Sequence, residues 1–131
     1  MFWTRRQVET LVLIAVGGFI GANARYLLTN WAAASFGSAF PWGTLLINLT
    51  GSCLLAIFIA FAARRTTLDP RARLFLAVGF CGAYTTFSTY ATDSITLLRA
   101  GNWMGGLGDI LGTNAICIVG VFIGLAIGSR L

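Results

Sequence analysis

Four long apolar blocks, separated by short polar connections, constrain this chain more than any other feature. They cover residues 11–28, 43–63, 74–98 and 110–128, and each is close to or longer than the roughly 20 helical residues that cross a bilayer core. Charged residues make up only 10% of the chain, against about 25% in soluble domains. The sequence therefore predicts a single all-α domain that spans a membrane four times, and it excludes a soluble enzyme, a disordered chain and a disulfide-stapled secreted domain.

The chain has little material for catalysis or metal binding by side chains. It contains no histidine and only four acidic residues, so general acid–base catalysis lacks its usual groups. Cys53, Cys81 and Cys117 each lie inside an apolar block and form no C-x-x-C pair, which favours packing roles over a metal site or a disulfide. We predict that the protein is not an enzyme and has no nucleic-acid partner.

The arginines predict an orientation in the membrane. One of them, Arg99, falls on the side away from the termini, and Arg25 lies inside the first span. Seven fall on the side of both termini: Arg5, Arg6, Arg64, Arg65, Arg71, Arg73 and Arg130. Because cytoplasmic connections carry the excess of basic residues, we expect a multi-pass protein of the cell (plasma or inner) membrane with both termini in the cytoplasm.

Glycines spaced by four residues predict close helix packing. Gly17 and Gly21 form one such pair in the first span, and Gly120, Gly124 and Gly128 form a ridge of three on one face of the last span. Small residues at this spacing let two helix backbones approach closely. The pattern leaves open whether the neighbouring helix belongs to the same subunit or to another one.

Polar residues inside the second span need a reason, because they are costly in a membrane. Thr44, Asn48 and Ser52 are spaced by four and share one helix face. Two interpretations of Asn48 stay open: its amide bonds a neighbouring helix, or it donates to an anion that has lost its water.

The third span predicts a helix that is broken near its middle. Residues 79–90 combine glycines with a run of threonine, serine and aromatic residues, a poor composition for a continuous helix. Backbone carbonyls freed by such a break would suit a monovalent cation. Phe87 and Tyr90 share a face of the second half, where they either pack or turn their positive ring edges toward an anion. Arg25 and Asp93 are the charges inside the predicted spans, and each could snorkel or pair.

Several of these stretches together resemble the Fluc-type (CrcB) fluoride channels, and the resemblance covers the whole chain. The run in the third span is its most specific part. The matching stretches are Gly21-Ala22-x-x-Arg25-Tyr26, Gly43-Thr44-Leu45-x-x-Asn48-Leu49-x-Gly51, Gly79-Phe80-Cys81-Gly82 and Thr85-Thr86-Phe87-Ser88-Thr89.

The resemblance implies a passive, fluoride-selective channel that exports cytoplasmic fluoride and confers fluoride resistance. It also implies an antiparallel dimer with two pores and a central structural Na⁺, held here by the backbone carbonyls of Gly82 and Thr85. Arg25 matches the family's arginine in the first span, and Asp93 stands where the family usually has glutamate. The implied pore-lining residues are Asn48, Thr44, Phe87, Tyr90 and, in the last span, Thr113 or Asn114.

Two departures from the family pattern matter. Ala83 replaces a common glycine at the break, and Tyr90 replaces the usual second phenylalanine and adds a hydroxyl group. The strong arginine bias also differs from what a chain that inserts both ways should show. We therefore expect the partner to be either a second copy or, as we hypothesise, an oppositely oriented paralogue.

Two other functions stay open at this point. A small proton-coupled multidrug exporter also has four short helices, but it needs a carboxylate in the middle of the first span, whereas Glu9 precedes that span. A non-conducting subunit that stabilises a partner is the other alternative.

Overall fold

The computed structural model describes residues 3–65 and 68–131. Its helices are α1 (Arg5–Phe36), α2 (Trp42–Ala63), α3 (residues 70–84), α4 (Phe87–Arg99) and α5 (Trp103–Gly128), and the described residues include no strand. Four helical stretches are long and apolar enough to cross a membrane, the third being Pro70–Arg99, which joins α3 to α4. The prediction of an all-α multi-pass membrane protein is confirmed.

The first helix is longer than its apolar block because its polar ends continue the same helix. Thr4 caps the N-terminus: its Oγ1 accepts from the Gln7 N–H at 3.3 Å, and Gln7 Oε1 accepts from the Thr4 N–H at 2.8 Å. This reciprocal box satisfies two of the donors that a helix start leaves free. At the other end Gly37 adopts a φ of +80°, a left-handed conformation that glycine allows.

The third span is broken near its middle, as the sequence predicts. Leu74–Cys81 is π-helical and is followed by a short α-helical turn, Gly82–Tyr84. Thr85 (φ −82°, ψ 158°) and Thr86 (φ −152°, ψ 117°) are then extended, and α4 begins at Phe87. Non-helical backbone at membrane depth must be buried in protein or line a cavity, so the break marks the region to search for a site.

Both glycine patterns pack inside this one chain. A Cβ at Gly17 or Gly21 would overlap backbone of Phe75 or Phe80 in α3. The three-glycine ridge of α5 lies against α2, so that a Cβ at Gly124 would overlap the Cys53 carbonyl. The choice that the sequence left open is therefore resolved in favour of contacts within the subunit, which join α1 to α3 and α2 to α5.

The arginine-rich connection lies at the same end of the molecule as both termini. Arg71 pairs with Glu9 near the start of α1, with Nη2 and Oε1 2.6 Å apart. Arg64 donates to the Ser129 carbonyl, and Arg65 donates to the Leu131 carbonyl at 3.4 Å. This geometry agrees with the assumption that these arginines lie on the same side of the membrane as both termini. That this side is the cytoplasm stays a prediction.

Candidate functional site

One groove collects most of the polar residues that the sequence singles out. It has a volume of about 270 Å³ and lies between α2, the break in the third span, α4 and α5. We call it the central groove. The predicted site residues that line it are Asn48, Thr85, Phe87, Tyr90, Thr113 and Asn114.

Asn48 joins α2 to the broken backbone. Its Oδ1 accepts from the Thr86 N–H at 2.8 Å, and its Nδ2 donates to the Thr86 carbonyl at 3.0 Å. The amide thus satisfies both backbone groups of one extended residue that is itself buried. An asparagine amide has two N–H groups. Within the described ranges Thr86 accepts from one of them, which leaves the other N–H of this groove-lining residue for a further acceptor.

The hydroxyl groups at the break are used locally. Thr86 caps α4 by accepting from the Thr89 N–H at 3.2 Å, and Thr85 Oγ1 donates to the Cys81 carbonyl at 2.9 Å. Threonine in a helix commonly bonds a carbonyl one turn back. These two hydroxyls therefore stabilise the ends of α3 and α4 and have their hydrogen bonds within the third span.

Tyr90 and Asn114 form a polar link between α4 and α5. The Tyr90 hydroxyl donates to the Ile110 carbonyl at 3.2 Å and accepts from Asn114 Nδ2 at 2.6 Å. Asn114 Nδ2 also donates to the Ile110 carbonyl at 2.6 Å. Both N–H groups of Asn114 are thereby used, and the hydroxyl that distinguishes Tyr90 from phenylalanine serves an interhelical contact.

Phe87 is the most exposed aromatic residue of the central groove. Its side chain is 77% exposed, and its ring centroid lies 5.5 Å from that of Tyr90, with the planes tilted by 57°. Tyr90, by contrast, is buried. Phe87 therefore presents its ring outward at the mouth of the groove, where the described part of the chain leaves it uncovered.

Thr44 and Asp93 lie in a different groove, next to the 35–42 connection. This second groove has a volume of about 320 Å³, and in it Thr44 Oγ1 donates to Asp93 Oδ2 at 2.7 Å. Asp93 thus has a hydroxyl partner. Arg25 is half-buried and forms no ion pair with any acidic residue in the described ranges, so the structure does not bring Arg25 and Asp93 together.

The backbone carbonyls at the break have the chemistry of a cation site. In the described part of the chain, the carbonyls of Gly82 and Thr85 accept no hydrogen bond. The N–H groups four residues further along donate elsewhere: the Thr86 N–H donates to Asn48, and the Thr89 N–H donates to the Thr86 hydroxyl. Gly82 is also exposed. Free carbonyl oxygens of this kind suit a hard monovalent cation such as Na⁺.

Two residues of this region fall outside the set that the sequence analysis assigned to a site. Ser52 lines the central groove one turn beyond Asn48, and its four-residue spacing from Asn48 was the available signal. Cys117 of α5 lines the same groove. Asp109 is the second: it stands at the edge of a predicted connection, but it lies inside α5 and is 0% exposed.

Fold and groove together define a small multi-pass membrane protein whose broken third span opens a polar site within the bilayer. The comparisons with known proteins narrow this class. Residues 12–125 match the family model described as "CrcB-like protein, Camphor Resistance (CrcB)". The chain therefore belongs to the CrcB family.

Several relatives of similar length are 37% to 47% identical to this chain over the aligned residues. A protein of Koribacter versatilis named "Fluoride-specific ion channel FluC" is 47% identical over 87% of this chain and 90% of its own length. Proteins of the same name from Chloroflexus aurantiacus (39% identical, 92% and 96% covered) and Rhizobium meliloti (40%, 89% and 94%) are also similar. These relatives are named as ion channels, which confirms the prediction that the chain is not an enzyme.

Proposed function

We propose that this chain is a subunit of a passive, fluoride-selective channel through which fluoride leaves the cytoplasm. The observation that carries the proposal is the central groove, where an uncommitted Asn48 N–H, the Ser52 hydroxyl and the Phe87 ring meet at a break in a membrane span. The names of the relatives point to the same ion.

The groove chemistry suits a small, tightly hydrated anion. An amide N–H and a hydroxyl can each replace one water of the hydration shell, and the positive edge of an aromatic ring adds a weak attraction. Among the described residues no arginine lines the central groove, so an anion there meets no positively charged side chain. Binding that is favourable but weak allows the ion to leave again, as conduction requires.

A dimer would complete this groove. Phe87 projects outward, and a second, antiparallel subunit would cover its ring and enclose the path, which gives two paths per dimer. The partner is either a second copy of this chain or an oppositely oriented paralogue. The seven-to-one arginine distribution favours the paralogue, because such a bias locks a chain in one orientation.

The carbonyls of Gly82 and Thr85 would hold a structural Na⁺ at the centre of that dimer. The ion would be coordinated by these carbonyl oxygens, which would otherwise have no hydrogen-bond donor inside the membrane. A Cβ at Gly82 would meet only the Ala77 carbonyl, at 3.9 Å. An added methyl group at position 82 therefore fits this chain's own fold, so an effect of Gly82→Ala on the flux would arise at the partner subunit or at the ion.

The proton-coupled exporter fits less well. Glu9 is exposed and paired with Arg71 near the start of α1, far from a position in the middle of the span. Two acidic residues lie inside the later helices, Asp93 in α4 and Asp109 in α5, and Asp93 is the one that falls within the predicted spans. If the exporter function were correct, Asp93→Asn would abolish transport, whereas in a channel it should alter transport without abolishing it.

The test is fluoride efflux from liposomes, read with fluoride- and chloride-selective electrodes. We expect rapid fluoride loss with chloride retained, from this chain alone or together with an oppositely oriented paralogue. Asn48→Ala should slow the flux strongly. Asn23→Ala is the matched control, because within the described ranges this exposed asparagine of α1 bonds the Phe19 carbonyl of its own helix.

Two results would contradict the proposal. Fluoride retention in both reconstitutions would exclude a channel. Unchanged flux and unchanged cellular fluoride resistance after replacing Asn48 and Phe87 would instead favour the non-conducting subunit.

A further inference from the structure

Asp109 is a fully buried carboxylate that the proposed pathway does not use. It lies in the first half of α5 and is 0% exposed. Within the described ranges no arginine approaches it closely enough for an ion pair. An acidic residue inside a membrane span is costly and usually marks a function, so its surroundings need an explanation.

Two hydroxyl groups surround this carboxylate. Ser94 of α4 lies 2.7 Å from Oδ2, and Thr113, one turn further along α5, donates to Oδ1 at 2.8 Å. Ser94 Oγ also lies 2.9 Å from the Tyr90 carbonyl. Ser94 therefore keeps an acceptor even without Asp109, whereas the Asp109 carboxylate is the side-chain acceptor that holds the Thr113 hydroxyl.

Thr113 connects this cluster to the central groove, which it lines. A threonine hydroxyl has one proton, and here that proton points toward Asp109. The Thr113 hydroxyl therefore has no further proton to donate into the groove. An anion in the groove would have to compete with Asp109 for this proton.

We propose that Asp109 is a positioning residue that holds the Thr113 hydroxyl proton away from the central groove and so keeps anion binding there weak. This inference rests on the proposed channel function and deepens it. The number of donors facing the groove sets how tightly the anion is held, and Asp109 removes one of them without touching the path itself.

Two substitutions separate positioning from charge. Asp109→Leu keeps a branched side chain but removes the acceptor, so Thr113 becomes free to donate into the groove. Asp109→Asn also removes any negative charge, but its amide oxygen can still accept from Thr113 while its N–H groups donate to Ser94. The half-saturating fluoride concentration of the flux should fall about tenfold in Asp109→Leu, the equivalent of about 1.4 kcal/mol, and stay within about threefold of the parent in Asp109→Asn.

A Thr113→Val background provides the decisive comparison. There Asp109→Leu should cause no further change in half-saturation, because the proton that it releases is gone. Asp109→Ala serves in place of the leucine variant if the latter does not assemble as a monodisperse protein, since alanine also lacks the acceptor.

The outcomes are distinct. Equal shifts in Asp109→Leu and Asp109→Asn would show that charge rather than position matters and would overturn the inference. A shift that persists with Thr113→Val would overturn it as well. Absence of fluoride flux in the parent protein, with and without a paralogue, would instead overturn the proposed function on which the inference rests.

Discussion

The contact between Asn48 and Thr86 gives the sharpest prediction for stability. Asn48→Leu keeps the branched shape but removes hydrogen bonds of 2.8 and 3.0 Å to the N–H and carbonyl of a buried residue. An unsatisfied buried backbone group costs about 1–3 kcal/mol. The two groups together predict a loss of about 2–6 kcal/mol, a large share of the roughly 5–15 kcal/mol that stabilises a typical fold.

The assay is reversible unfolding of the protein in mixed micelles by titration with a denaturing detergent, followed by tryptophan fluorescence. Ser52→Val, one turn away on the same face, is the control and should change stability by less than about 1 kcal/mol. A loss below about 1 kcal/mol in Asn48→Leu would refute the reasoning that this amide holds the break.

Three further predictions concern packing, the α4–α5 link and orientation. Gly124→Leu should prevent α5 from packing on α2 and abolish folding. Gly112→Ala, where a Cβ has open space, should be neutral or stabilise the fold by up to about 1 kcal/mol. Equal stability of both variants in detergent unfolding would contradict this prediction. Tyr90→Phe should cost about 1 kcal/mol through loss of the contacts with Ile110 and Asn114, measured in the same way, and an unchanged midpoint would argue against that link. Replacing the arginines of the 64–73 connection by glutamine should produce a mixed orientation, read by labelling both termini in cells; a substantial population with an external N-terminus before the replacement would contradict the orientation prediction.

The membrane fold was predictable because apolar length is a strong signal. A block of about 20 apolar residues has few alternatives to a spanning helix, and the break followed from the glycine and threonine composition of residues 79–90. The helix ends were less predictable. Arg5 and Phe36 lie well outside the first apolar block, because polar residues continue a helix beyond the hydrocarbon layer without any change in hydropathy to mark its end.

The site was predictable in its members but not in its hydrogen bonds. Six of the assigned residues line one groove, yet spacing could not show that Asn114 spends both N–H groups on Tyr90 and Ile110. It also could not place Thr44 in a separate groove with Asp93. These hydrogen bonds depend on which helices are neighbours and on how each helix is rotated about its axis. Residue spacing in a single sequence specifies neither of these.

Asp109 shows the same limit most clearly. At the end of a glycine-rich stretch it is indistinguishable from a solvated residue in a connection, and its burial follows from α5 beginning earlier, at Trp103. Once inside, a carboxylate must find donors, and the nearest hydroxyls belong to Ser94 and to Thr113 of the central groove. The polar groups of a membrane protein first form hydrogen bonds with one another, so a ligand can bind only the donors and acceptors that these internal bonds leave unused. In this chain few such groups are left in the central groove, and replacing any one internal partner should change their number.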